Sequence, residues 1–83
     1  MARFEMLVPD MGLSDAPMRV TAWLVREGSW VDHDEPVLEV TAGSVVVDLP
    51  APVSGVLVEQ RVAEDDLVRP SSPVAVFETD RPA

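Results

Sequence analysis

This 83-residue chain has no cysteine and no lysine. Without cysteine there can be no disulfide, no thiolate metal site and no cysteine nucleophile. Without lysine, the six basic residues are all arginines (Arg3, Arg19, Arg26, Arg61, Arg69 and Arg81), and no side chain offers a primary amine. Long apolar runs are also missing; none approaches the ~20 residues that span a bilayer as a helix. At the start of the chain, Glu5 interrupts the sequence before any apolar stretch of the signal-peptide type, so a cytoplasmic protein is expected. Positive charge is scarce. Six bases against 15 acids leave a net charge of −9. That balance argues against nucleic acid and anionic membrane as partners, because both recruit cationic side chains. It suits either plain solubility or a basic protein partner.

What the chain does contain points to one small domain, expected to be monomeric in isolation, with a modest core. Short valine-rich segments lie between Pro, Gly, Asp and Ser residues, and none shows helical periodicity. Strands are predicted at Phe4–Val8, Arg19–Val25, Val37–Thr41, Val45–Leu49, Gly55–Val62 and Val74–Glu78, giving an all-β fold. Prolines 9, 17, 36, 50, 52, 70 and 73 fall at the ends of these segments, where a missing N–H does least harm.

The chain repeats itself. Residues 25–37 laid over residues 62–74 match at Val25/Val62, Glu27/Glu64, Val31/Val68, Pro36/Pro73 and Val37/Val74, an offset of 37 (62 − 25). Trp30 falls on Leu67. Two similar halves suggest a pseudo-twofold arrangement in which each covers the other's open face. Between them, Gly43-Ser44 separates two apolar strands and fits a two-residue type II′ hairpin, with glycine supplying the positive φ. The tip of that hairpin is expected to project into solvent.

Three stretches carry a family resemblance: Trp23-Leu-Val-Arg-Glu-Gly-Ser-Trp-Val31, Glu35-Pro-Val-Leu-Glu-Val40, and Leu49-Pro-Ala-Pro-Val-Ser-Gly-Val-Leu57. In order and spacing they resemble lipoyl domains of the E2 acyltransferases of 2-oxo acid dehydrogenase complexes. Val8-Pro-Asp-Met-Gly-Leu13 fits that family's first strand and loop. The likeness extends over about residues 4–79. It implies a small flattened β-barrel, a barrel-sandwich hybrid of two pseudo-twofold-related four-stranded sheets. It also implies a modified lysine on a hairpin tip, 16 residues after one glycine and 11 before another. Here 28 + 16 and 55 − 11 both give 44, and position 44 is serine. The family's aspartate before the lysine is Gly43, and its second-half glycine is Asp65. Lipoate and biotin are held by an amide to a lysine nitrogen; a serine hydroxyl could form only an ester, weaker and with a shorter reach. The expectation is therefore a domain without cofactor, metal or catalytic residues, whose tip is Ala42, Gly43 and Ser44.

Other residues with chemical potential are scattered along the chain. Asp32, Asp34, Glu35 and Glu39 with His33 form an acidic stretch that matches no defined cation loop and reads as a solvated turn. His33 has no nucleophile near it in sequence. Ser44 lacks the surroundings of a nucleophile elbow. Trp23 is expected in the core. Trp30 precedes the core-type Val31 in a turn, so its ring is read as facing outward, either simply half-buried on the domain or as a partner contact, with Leu67 exposed in the same way. The loop Met11–Pro17 corresponds to the family's recognition loop, which makes Leu13, Ser14 and Asp15 the docking candidates.

Residues 1–79 are expected to form the domain, and residues 80–83 to begin a linker or disordered tail. The resemblance then implies a non-catalytic domain of an E2-like acyltransferase, one that takes acetyl from free acetyl-CoA in a natural-product pathway such as tetronate assembly. The domain would serve as an interaction or positioning module toward a protein partner or its own parent chain. The alternative is a stand-alone adaptor or decoy that docks to a dehydrogenase or lipoylation enzyme.

Overall fold

A computed structural model describes residues 2–10, 12 and 17–80. Eight strands follow one another: β1 (Ala2–Leu7), β2 (Met18–Trp23), β3 (Trp30–Val31), β4 (Pro36–Ala42), β5 (Val45–Pro50), β6 (Gly55–Gln60), β7 (Leu67–Val68) and β8 (Pro73–Thr79). They form two antiparallel four-stranded sheets, ordered β1-β8-β6-β3 and β5-β4-β2-β7. The flattened barrel is thus two sheets around one core rather than a closed ring.

The repeat seen in the sequence is a real symmetry. Adding 37 carries β2 onto β6, β3 onto β7 and β4 onto β8, residue for residue. Adding 43 carries β1 onto β5 (2 + 43 = 45). The backbone obeys the same rule. Gly28 N–H donates to the Leu57 carbonyl at 2.7 Å, and Asp65 N–H donates to the Val20 carbonyl at 2.8 Å. Asp34 N–H reaches the Ala51 carbonyl and Ser71 N–H the Val8 carbonyl, at 3.0 and 2.7 Å. In each case the turn of one half binds a strand associated with the other. Both sheets also carry a bulge at the same place, between Val20 and Ala22 on β2 and between Leu57 and Glu59 on β6.

All six segments read as strands are strands, with ends shifted by a residue or two. Val25 and Val62 lie beyond β2 and β6, yet both pack against the core from the turns. Apolar character reported their burial, not their pairing. β3 and β7 went unseen because two residues carry no periodic signal. The core gathers the inward residues of both sheets, including Val20, Val31, Leu38, Val40, Leu49, Leu57, Val68, Val74 and Phe77. Symmetry mates differ in size in compensating ways: Leu38 corresponds to Ala75, and Val40 to Phe77. Volume lost at one level is regained at the next, as dense packing requires.

Two positions show how the backbone constrains the sequence. A Cβ built on Gly55 would lie 2.3 Å from the Glu78 carbonyl oxygen and 3.2 Å from the Thr79 Cα. Backbone cannot step aside as a flexible side chain can. Gly55→Ala should therefore cost about 2–3 kcal/mol, read from the urea midpoint at unchanged m-value. Asp65 takes φ +76 where its mate Gly28 takes +92. A left-handed backbone costs a non-glycine residue roughly 1–2 kcal/mol, and the added unfolded-state freedom of glycine returns only about 0.4–1. Asp65→Gly should accordingly stabilise the fold by about 0.5 kcal/mol, again by urea titration.

Candidate functional site

β4 and β5 form a hairpin in which Thr41 pairs Val46 and Ala42 pairs Val45, leaving only Gly43 and Ser44 in the turn. A loop this short follows the strand twist only as a primed turn. φ is +61 at Gly43 and not positive at Ser44, which fits the type II′ turn expected. A Cβ on Gly43 would meet nothing within 4 Å, so conformation rather than crowding asks for glycine here.

The hairpin is anchored at its base and bare at its tip. Val40 and Leu49 are buried in the core and Val47 is half-buried against it. Glu39 is tied to β2, its Oε1 lying 2.8 Å and its carbonyl oxygen 3.1 Å from the Thr21 hydroxyl, which donates to the pair. Thr21 is the residue skipped at the β2 bulge, so its hydroxyl meets a carbonyl where the ladder is interrupted. Gly43 and Ser44 are exposed, and Val46 is 60% exposed. Beside the tip lies a shallow hollow of about 380 Å³ lined by Pro17, Arg19, Thr21, Thr41, Gly43 and Leu67. The Arg19 guanidinium donates to the Asp65 carbonyl at 3.4 Å and, among the described residues, makes no ion pair.

Such a tip presents whatever side chain it carries to solvent, above a base held by the core. In this chain the side chain is a serine hydroxyl. Among the described residues no base is recorded against it, and the part-buried carboxylate of the hairpin, Glu39, is engaged by Thr21.

The remaining sequence candidates fall in different places. Leu13, Ser14 and Asp15 lie outside the described residues. Of their loop, Gly12 N–H donates to Asp10 Oδ1 at 3.0 Å, and Pro17 lines the hollow by the tip. The acidic stretch is split: Glu39 is on β4, while Asp32, His33, Asp34 and Glu35 form the exposed turn after β3. There His33 Nδ1 lies 3.3 Å from Asp34 Oδ2, and among the described residues no three His, Asp or Glu side chains converge as metal ligands do. Trp23 packs on the core edge and donates its indole N–H to the Val62 carbonyl at 2.9 Å. Trp30 and Leu67 are 54% and 61% exposed, as their symmetry predicts. Sequence reasoning missed the Arg61 cluster. Its guanidinium joins Glu59, the stronger influence, and Glu5, which together hold it even more firmly protonated than an ordinary arginine. Nothing in the sequence pattern brings Glu5 to Arg61; only the β1-β8-β6 order does.

A family model described as biotin-requiring enzyme, the biotin–lipoyl family, matches residues 4–77. The chain belongs to the biotin–lipoyl family. Among curated relatives it is 37% identical over 74 residues to the dihydrolipoyllysine-residue acetyltransferase component of the pyruvate dehydrogenase complex of Corynebacterium glutamicum, covering 89% of this chain and 11% of that protein. It is 39% identical over 64 residues to the dihydrolipoyllysine-residue succinyltransferase component of the 2-oxoglutarate dehydrogenase complex of Haemophilus influenzae, covering 77% and 16%. The fold matches the solution structure of the lipoyl domain of the 2-oxoglutarate dehydrogenase complex of Azotobacter vinelandii, with a TM-score of 0.72 at 24% identity over 90% of this chain and 95% of that one. This is a lipoyl-type domain, and it spans only about a tenth to a sixth of those two enzyme components. A domain of this kind is a carrier body, not a catalyst by itself.

The relatives' names specify a lysine. This biotin–lipoyl chain has none at position 44 or anywhere else, so the residues present do not fit an amide-linked prosthetic group. The tip itself should tolerate change: Gly43→Ala should cost about 1 kcal/mol through its positive φ while leaving the circular dichroism spectrum intact, since no neighbour is close.

Proposed function

We propose that this chain is a lipoyl-type domain that no longer carries a lipoyl group and serves as an interaction or positioning module of an E2-like acyltransferase. One observation carries the reading: the solvent-exposed hairpin tip, kept in geometry, bears Ser44 in a chain without lysine. Tethered lipoyl arms work by raising the local concentration of an acyl group at successive active sites. With no amine to hold the arm, that use is lost and the rigid body remains. An acyltransferase bearing it would draw its acyl group from a free donor, acetyl-CoA being the simplest, as a biosynthetic enzyme of a natural-product pathway would. The length of the relatives supports a parent chain in which the catalytic residues lie elsewhere.

Co-expression with a lipoate–protein ligase and intact-mass spectrometry tests this. The natural sequence should gain no lipoyl mass. The double variant Gly43→Asp, Ser44→Lys should gain one lipoyl group if the surrounding surface is still recognised. A lipoyl group found on the natural sequence would refute the proposal.

A further inference from the structure

We propose that the open face of Trp30, with the Asp32 carboxylate at its edge, is a docking point for an arginine side chain of a partner protein. This deepens the interaction-module reading by naming the chemistry of the partner, and it involves neither Gly43 nor Ser44.

Trp30 lies on β3 at the edge of its sheet, paired with Val56 alone, and is 54% exposed. Its indole N–H donates to Asp32 Oδ1 at 3.1 Å. That bond satisfies the ring's one polar group and restrains its orientation, so little freedom is left to lose on binding. A guanidinium stacked on the ring meets the negative face of the π-system. From there its N–H groups can reach a carboxylate at the ring's edge. A planar fork suits this two-point contact better than a point-like ammonium.

The charge around the ring favours the same occupant. Among the described residues no ion pair engages Asp32, and its backbone N–H is held by Glu35 Oε1 at 3.1 Å, which brings a second carboxylate alongside. On the turns that flank β3, Glu27, Asp32, Asp34 and Glu35 outnumber Arg26 and His33, and His33 faces Asp34. Across the sheet, in the row Trp30–Val56–Glu78–Arg3, the arginine is paired with Glu78 at 3.6 Å.

The symmetry shows that the fold does not require these two side chains. Adding 37 takes Trp30 to Leu67, Asp32 to Arg69 and Glu35 to Ser72, on turns with matching backbone hydrogen bonds. A leucine and an arginine serve equally well at the related site. The ring and the carboxylate are therefore additions at a place the architecture leaves open, with an acid at position 32 where the other half has Arg69.

The test is a titration of the ¹⁵N-labelled chain with a tetra-arginine peptide at physiological salt. The Trp30 indole resonance is followed, with the Trp23 indole, bonded to the Val62 carbonyl, as an internal reference. Saturable movement of Trp30 with Trp23 still is expected. Trp30→Leu, which installs the residue of the other half and should fold, should weaken binding about three- to ten-fold. Asp32→Asn should weaken it by a smaller factor, about two- to three-fold, and tetra-lysine should bind less tightly than tetra-arginine. Equal affinity in Trp30→Leu would mean that overall acidity captures the peptide, and would overturn the proposal. So would an absent Trp30 response, or equal binding of an uncharged apolar peptide at Trp30. A lipoylated natural chain would defeat the preceding reading without changing any of these results.

Discussion

Everything in this domain depends on a reciprocal exchange of backbone hydrogen bonds between its halves. The turn after β2 is fastened to β6, and the turn after β6 is fastened to β2. Each half alone would leave a sheet face and several N–H groups open to water, and a chain this small has little apolar area with which to offset such losses. Closing both halves at once satisfies the two sets of groups together. It also places Phe77 and Leu57 from one sheet with Leu38 and Leu49 from the other in a single core.

That exchange explains why the β4–β5 hairpin can hold its tip in water. Its lower part is fixed by Val40 and Leu49 in the core and by the Thr21–Glu39 contact, so the two turn residues need no packing of their own. The geometry suited to presenting a side chain is therefore a property of the fold, while the chemistry presented depends on one residue. Here the geometry is kept and the amine is missing. On the proposed reading, selection has continued to maintain the body for its surfaces.

Symmetry also separates what the fold demands from what it permits. Positions alike in both halves, such as Val31/Val68 and Pro36/Pro73, answer to packing and strand entry. Apart from the core mates that compensate in volume, positions that differ at matching places answer to their local surroundings. Gly55, pressed against the β8 backbone, corresponds to the buried Met18. Trp30 and Asp32 differ from Leu67 and Arg69 on exposed turns, where packing exerts no such pressure.

The all-β class, six of the eight strands, the twofold repeat and the two-residue turn at Gly43-Ser44 were legible in the sequence, because alternation, proline placement and glycine all act locally. The missing attachment residue was legible too, since the absence of lysine holds in any register. The sequence could not reveal β3 and β7, which are too short to show a period and exist only because β6 and β2 lie beside them. Nor could it join Arg61 to Glu5, or Trp23 to the Val62 carbonyl, contacts between residues 56 and 39 positions apart that arise from strand order alone. Local preference determined what each segment is; tertiary pairing decided which segments meet, because a hydrogen-bonded edge is specified by its partner as much as by its own residues.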